Sequence, residues 1–397
     1  MKKIAFLLSA ALLFAFNSCG DDDSTTSAAE SSEESSTEDA DEDDSDGDST
    51  DATDASDSNS DFARGADISW YTEMAADGMK FYNSAGTETA CPALMKELGM
   101  NAVRLRVWVN PENADCDYCN LTDVQAKAVE ATEVGLDILI DFHYSDRWAD
   151  PSTQETPAAW EEFSLVELQD AVATHTSEVL TALKSAGVTP KWIQIGNETR
   201  NGMLHPTGQL WDSNGGGNYE DGWANFVSLY TAGYTAAKEV VPEAYVMPHL
   251  NTASKTDDNA WWLEEFSAAG AAFDMIGLSH YPQTDDTSST PTSLTSTALT
   301  NIQSLAKTYG VPVMVVEFGV KTEEDEETAA TLASEFMTAA KKLGTDVCAG
   351  IFYWEPEVYG WWKPASYTTF YDNWSAYSMG AFLSDGSPSS VLDAWAE

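Results

Sequence analysis

Two glutamates stand where hydrolytic chemistry could be done. Glu198 closes the run Trp192-Ile-Gln-Ile-Gly-Asn-Glu, and Glu317 follows Val313-Met-Val-Val. Apolar surroundings make an ionised carboxyl costly, so each needs either a proton or a partner. Structural ion pairs would meet that need too. Arg104 and Arg106 alternate on another apolar segment, where an arginine beside Glu317 would keep it ionised while Glu198 stayed protonated. Carboxyl groups held in opposite protonation states divide the work of acetal hydrolysis: one protonates the leaving oxygen and the other attacks carbon.

Such groups need a frame that brings distant segments to one place. Eight short apolar segments can supply it: Ala66–Trp70, Ala102–Trp108, Asp137–His143, Trp192–Glu198, Tyr245–Asn251, Met275–Tyr281, Val313–Gly319 and Gly350–Trp354. Several carry Val and Ile on consecutive positions, as strands buried on both faces of a parallel sheet do. Helical patterns lie between them. Thr122-Asp-Val-Gln125 and Ser164-Leu-Val-Glu167 fit the capping box, Leu168, Val172, Val179 and Leu183 fall at helical spacing, and Gly187 supplies a stop. Alternating strands and helices predict an α/β fold, a single (β/α)8 TIM barrel with enlarged βα loops. The rival open sheet would call for a Gly-rich phosphate turn after an early strand, and the sequence has none.

In a closed parallel barrel the C-terminal ends of the strands converge on one mouth. Polar or aromatic residues end nearly every segment: Asp141 and His143 the third, Asn197 and Glu198 the fourth, His249 and Asn251 the fifth, Tyr281 the sixth, Glu317 the seventh and Trp354 the eighth. One such residue alone reads as a solvated strand end; their convergence points to a site. Among 14 Trp, six fall in expected loops: Trp148, Trp211, Trp261, Trp262, Trp361 and Trp362. Flat indole faces along a groove suit sugar rings, and local loop packing is the plainer use of the same residues.

Gly65-Ala-Asp-Ile-Ser, Val103-Arg-Leu-Arg-Val-Trp108, Asp141-Phe-His-Tyr-Ser-Asp146 with Trp148-Ala-Asp-Pro151, Gly196-Asn-Glu198, Asn201-Gly-Met-Leu204 and Phe352-Tyr-Trp-Glu-Pro356 occur in this order. In these motifs residues 64–396 resemble glycoside hydrolase family 53, endo-β-1,4-galactanases of a clan of retaining (β/α)8 glycosidases. The resemblance implies that Glu198 is the general acid/base and Glu317 the nucleophile. Asn197 would then hold the sugar 2-hydroxyl, Arg104 would neighbour the nucleophile, Tyr281 would hydrogen-bond it, and Trp354 would floor the cleavage subsite. Asp141, His143, His249 and Trp148 would line the same mouth, with Arg106 behind it. The implied substrate is β-1,4-galactan from the side chains of pectin. No cofactor is required, and a structural calcium has no assignable ligands. The chain departs from the family at His205, at His280 and at Phe318-Gly319, each expected near the groove. The alternatives are the same chemistry on another β-linked polysaccharide such as mannan, or a non-catalytic glycan-binding lipoprotein.

Composition limits the partners. With 66 acids against 19 Lys and Arg, a net charge of −47 repels phosphate and excludes nucleic acid. Residues 1–19 read as a lipoprotein-type signal peptide, Lys2-Lys3, an apolar run too short to span a bilayer and then Cys19, which resembles a lipidated cysteine. Residues 20–61 hold 18 acids and no Lys or Arg, predicting a disordered acidic linker. Residues 62–397 are expected to form the catalytic domain. An exported monomer is expected, tethered to the bacterial envelope through Cys19 or else secreted. Export would allow Cys116 and Cys119 to pair in a small disulfide or, with Cys91 and Cys348, to stay thiols; a zinc site lacks further ligands nearby.

Overall fold

The structure, a computed structural model, describes residues 62–396 apart from 115, 213–220, 324, 361 and 365–377. Cys19, the leader, the acidic linker, Asp115 and Trp361 lie outside the described residues. Apart from a small antiparallel pair at Gly202–Met203 and Gly208–Gln209, eight strands form the barrel in chain order: β1 (Ala63–Asp67), β2 (Ala102–Val107), β3 (Asp137–Phe142), β4 (Trp192–Ile195), β5 (Tyr245–Met247, resuming at His249–Leu250), β6 (Ile276–His280), β7 (Val313–Phe318) and β8 (Cys348–Trp354). Within the barrel every neighbour pair is parallel, and β1 pairs with both β2 and β8. The ring closes through β5: Tyr245–Met247 pairs with β4, and His249–Leu250 pairs with β6. Pro248 divides the strand because it has no N–H for the ladder, yet its carbonyl accepts from the Gly277 N–H at 2.9 Å. The expected (β/α)8 barrel is therefore the fold.

The first strand ends at Asp67, three residues before the expected Trp70, which instead precedes a short helix at Tyr71–Ala76. The longer helices follow their strands: α1 (Leu121–Glu133), α2 (Leu165–Ser185), α3 (Gly222–Val240), α4 (Thr256–Ala268), α5 (Pro291–Tyr309) and α6 (Glu326–Lys341). Ser164 and Glu167 form both bonds of the capping box on α2. The box expected at Thr122 is not the cap of α1; Asn120 is, accepting from the Asp123 N–H, so that helix begins two residues earlier.

The floor of the lumen is a packed apolar plug of Ala63, Ala102, Leu139, Trp192, Met247, Met314, Val316 and Phe352. It is tight enough to dictate sequence: a Cβ on Gly65 would lie 2.2 Å from the Phe352 ring. Because side chains alternate along a strand, positions two beyond the plug also face inward, one layer nearer the mouth. Those positions are Arg104, Asp141, Gln194, His249 and Trp354. The plug thus supports a polar layer from below.

Candidate active site

Arg104 organises that layer. It is fully buried, and its Nη1 lies 2.8 Å from Asp67 Oδ2. Nη2 lies 2.8 Å from Asp141 Oδ2, 2.9 Å from Glu317 Oε1 and 2.8 Å from Asn197 Oδ1, while Nε donates to Gln194 Oε1. Burial works against the guanidinium charge, and Asp141, Glu317 and Asp67 more than offset it. Burial likewise opposes ionisation of Asp141, but Arg104 and His143 prevail and hold its carboxyl below the usual range. His143 Nδ1 accepts from Trp108 Nε1 and from the Ala149 N–H. Both are obligate donors, so the ring hydrogen sits on Nε2 and points to Asp141 Oδ2 at 2.9 Å.

Glu317 reaches this cluster through an irregularity. Strict alternation from Met314 and Val316 would turn Glu317 outward and bring Phe318 into the lumen. The ladder of β7 shifts register between Val315 and Glu317 against β6 and between Val315 and Phe318 against β8. Such a bulge re-aims the residues that follow it. Glu317 turns in beside Arg104, and Phe318 packs outward on Phe336 with ring centroids 5.1 Å apart. The Tyr281 hydroxyl donates to Glu317 Oε2 at 2.7 Å.

Glu198 reaches the mouth through a turn. Gly196 has φ +81°, and Glu198 itself is left-handed at φ +46°, ψ +50°, a conformation costing roughly 1–2 kcal/mol outside glycine. A carboxylate oxygen of Glu198 and one of Glu317 lie within 4.8 Å of each other. Burial raises the proton affinity of Glu198 well above the ordinary carboxyl range, and the negative charge of Glu317 adds to it. Burial raises Glu317 as well, but there Arg104 and the Tyr281 hydroxyl oppose it. The proton of the pair therefore belongs to Glu198, leaving a neutral acid facing an anion.

The structure brings Arg104, Asp141, His143, Asn197, Glu198, His249, Tyr281, Glu317, Trp148 and Trp354 to one end of the barrel, but at two depths. Glu198 and Tyr281 reach the opening, while Glu317 and Trp354 are nearly covered. Asp141, His143 and His249 lie beneath the mouth and spend their polar atoms on other side chains and on backbone amides, so they shape the site without lining it. Sequence reading passed over Asp67, Gln194 and Ser279. Asp67 was hidden by the misplaced end of β1. Gln194 and Ser279 are polar residues inside apolar strands at lumen-facing positions, and that alternation is the signal that marks them.

The aromatic residues divide similarly. Trp148 is buried against Arg106 and 6.2 Å from Trp354, whose ring stands edge-on to Tyr281. Trp262 is no loop residue but a buried member of α4 stacked on Phe266, and Trp362 is buried with Nε1 donating to Asp77 Oδ2. Trp261 is likewise a residue of α4 and not of a loop; it is exposed and forms a tilted pair with Trp211, ring centroids 6.1 Å apart. Of the three family departures, His280 and Phe318 face outward against Phe336 and not the groove. His205 is held by the Asn201 carbonyl at 2.9 Å. Cys91, Cys116, Cys119 and Cys348 are buried free thiols.

Glu198, His249 and Glu317 offer the one set of three potential metal-ligand atoms among the described residues. The set does not suit a resident cation. Both ring nitrogens of His249 already bond protein groups, and Glu198 favours its protonated form.

The family model for glycosyl hydrolase family 53 matches residues 63–389. A probable arabinogalactan endo-β-1,4-galactanase A of Aspergillus terreus is 32% identical over 327 residues, 76% of this chain and 86% of that protein. The endo-β-1,4-galactanase of Bacillus subtilis is 29% identical over 353 residues, 81% of this chain and 76% of its own length. Among solved structures, the family 53 catalytic domain of Ignisphaera aggregans superposes with a TM-score of 0.72 at 28% identity, covering 84% of this chain and 95% of that one. With most of its length matched by the family model and a relative above 30% identity, the chain belongs to glycosyl hydrolase family 53.

Proposed function

We propose that the chain is an endo-β-1,4-galactanase that cleaves the galactan of arabinogalactan and pectin side chains with retention of configuration. The observation that carries this reading is that one carboxylate oxygen of Glu198 lies within 4.8 Å of one of Glu317, with the Ser279 hydroxyl between them at 2.7 Å and 3.4 Å. Retaining glycosidases hold their carboxyl groups about 5–5.5 Å apart, whereas inverting enzymes leave about 6.5–9.5 Å for a water. Ionised Glu317, oriented by Arg104 and Tyr281, attacks the anomeric carbon. Glu198 gives its proton to the departing glycosidic oxygen, and a covalent glycosyl-enzyme results. Ester formation removes the charge on Glu317, which lowers the proton affinity of Glu198 and readies it to take a proton from the incoming water. Water then attacks the same carbon, and Glu317 leaves as the carboxylate.

Asn197 suits the sugar 2-hydroxyl. Its Oδ1 is committed to Arg104 and Gln194 and one amide hydrogen to the Ala149 carbonyl, which fixes the amide plane and leaves the second hydrogen for a ligand. Trp354, wedged between Trp148 and Tyr281, supplies an apolar floor. The leader and linker extend the proposal to location: a monomer exported and anchored by lipid on Cys19, with residues 20–61 as a spacer.

Incubation with purified β-1,4-galactan and with mannan tests the activity. Galacto-oligosaccharides from the first and nothing from the second are expected, with the product's β-anomer seen first by proton NMR. Initial release of the α-anomer would refute the retaining assignment, and products from mannan alone would refute the substrate. For the anchor, Cys19→Ala should move the protein from the membrane fraction to the medium.

A further inference from the structure

We propose that His249 and Ser279 are positioning residues that join the backbone of Glu198 to its own carboxyl group and fix which oxygen carries the catalytic proton. This rests on the reading of Glu198 as the proton donor. The chain of bonds starts at the main chain. The Glu198 N–H points at His249 Nδ1, 3.2 Å away, and that amide has no other acceptor among the described residues. Gln194 Nε2 approaches the same nitrogen at 3.0 Å. Asn197 Oδ1 also lies 2.9 Å from Nδ1, but it is supplied by Arg104 and Gln194, whereas a backbone amide cannot turn elsewhere. Nδ1 is therefore an acceptor, and the ring hydrogen sits on Nε2. Burial and the nearby Arg104 charge keep the ring neutral.

Nε2 lies 2.8 Å from Ser279 Oγ, so the serine oxygen receives a hydrogen from the histidine. Its own hydrogen is then free for a carboxylate. Glu198 Oε1 is 2.7 Å away and Glu317 Oε2 is 3.4 Å away, which directs it to Glu198. The circuit closes on the residue where it began. Two consequences follow from the geometry. The left-handed backbone of Glu198 is held by a bond from its own amide. With Oε1 occupied as an acceptor, the transferable proton resides on Oε2. When that proton passes to the glycosidic oxygen, the carboxylate left behind binds the Ser279 hydroxyl more tightly than the neutral acid did, because a charge-assisted bond is stronger. The bond thus favours the transition state over the ground state.

The charged and titratable groups facing the Glu198 carboxyl are Glu317 from β7, Arg104 from β2, Asp150 from the loop after β3, His249 from β5 and Tyr281 from β6. Deleting the Ser279 hydroxyl leaves all of them in place. It removes a donor to the ionised form, so Glu198 should hold its proton to higher pH.

The test uses the whole protein and two substrates. Galactan has a poor leaving group and needs the acid, whereas the dinitrophenolate of a dinitrophenyl β-galactobioside departs without a proton, leaving the sugar on Glu317. Ser279→Ala should lose about 10-fold to 100-fold in kcat/KM on galactan, several-fold more than on the aryl substrate, and should move the alkaline limb of the galactan profile upward. Ser279→Thr, which keeps a hydroxyl, should recover most of the loss. His249→Asn keeps an acceptor near the Glu198 amide but deletes the Nε2 donor, so it should show the same leaving-group dependence with a smaller loss. Equal losses on the two substrates with an unmoved alkaline limb, or full activity of Ser279→Ala on galactan, would overturn the proposal. Wild type inactive on galactan would overturn the functional reading beneath it.

Discussion

Arg104 and Arg106 lie two residues apart on β2, face the same lumen and are buried alike, yet their charges are met by different means. Arg104 is surrounded by hydrogen-bonding groups from β1, β3 and β7 and the end of β4. Arg106 binds Glu355 at 2.6 Å and lies under indoles, with its guanidinium 4.0 Å from the Trp70 ring, 4.2 Å from Trp148 and 5.3 Å from Trp108. Those partners follow β1, β2, β3 and β8, so Arg106 ties loops where Arg104 ties strand ends. Indole faces attract the cation without offering a proton or a second charge. The difference separates two jobs. The lower arginine regulates the charge of a nucleophile, and the upper one fastens the rim that surrounds it.

Substitutions that separate charge control from fastening would break or sharpen this contrast. The largest effect belongs to the group Arg104 controls. Glu317→Gln should reduce turnover on galactan about 10³-fold or more while retaining binding, because a nucleophile acts in the transition state more than in the ground state. Reducing-end release and polysaccharide affinity measured together decide it, and comparable turnover in the two proteins would remove Glu317 from the chemistry. Arg106→Met should act on stability. Glu355 is protonated below about pH 8, so the substitution strands a buried polar group and not a bare charge; a loss of about 1–3 kcal/mol should appear in denaturant unfolding, with the pH profile of the surviving activity unmoved. A shifted profile would mean that the upper arginine also sets charge at the site.

The sequence shows the two layers unequally, for physical reasons. Strands such as β2 and β3 are legible because burial on both faces demands consecutive apolar residues, and Glu198 is legible as a polar stop on such a run. The identity of Glu317 was legible too. Its inward direction was not, since a register shift leaves no mark in a string of Val and Met. The end of β1 was misread because Ile68 and Trp70 prolong the apolar pattern into the cage over Arg106, and Asp67 was lost with it. Trp262 and Trp362 looked like groove residues because their polar neighbours suggested loops. Packing decided otherwise, burying one on a helix face and the other against Trp70.

Smaller effects refine the contrast. Arg104→Lys keeps a charge but loses the planar fork that serves several acceptors at once, and should cost about 10²-fold in kcat/KM. Arg104 is what opposes the burial of Glu317, so weakening it raises that proton affinity and moves the acid limb of the pH profile upward. An acid limb left in place would mean that Tyr281 alone sustains the anion.

The last effect lies in the upper layer. Burial, resisted by Arg106 and aided by the charge of Asp67, raises the Glu355 carboxyl to about 8. The unfolded chain releases that proton near pH 4.5, so between the two values the folded protein holds one more proton than the unfolded. Stability contributed by this group is complete below about pH 4.5 and falls as pH rises toward 8, at up to about 1.4 kcal/mol per unit. Glu355→Gln keeps the amide-sized group beside Arg106 and removes the titration. Its unfolding free energy should decline less steeply over that interval than that of wild type, with Glu198 and Glu357, both raised mainly by burial, supplying the remaining slope. Identical slopes would show that Glu355 stays ionised against Arg106 throughout. The upper pair would then be a permanent ion pair under its indole roof, and the contrast with Arg104 would narrow to the number of carboxylates each arginine holds.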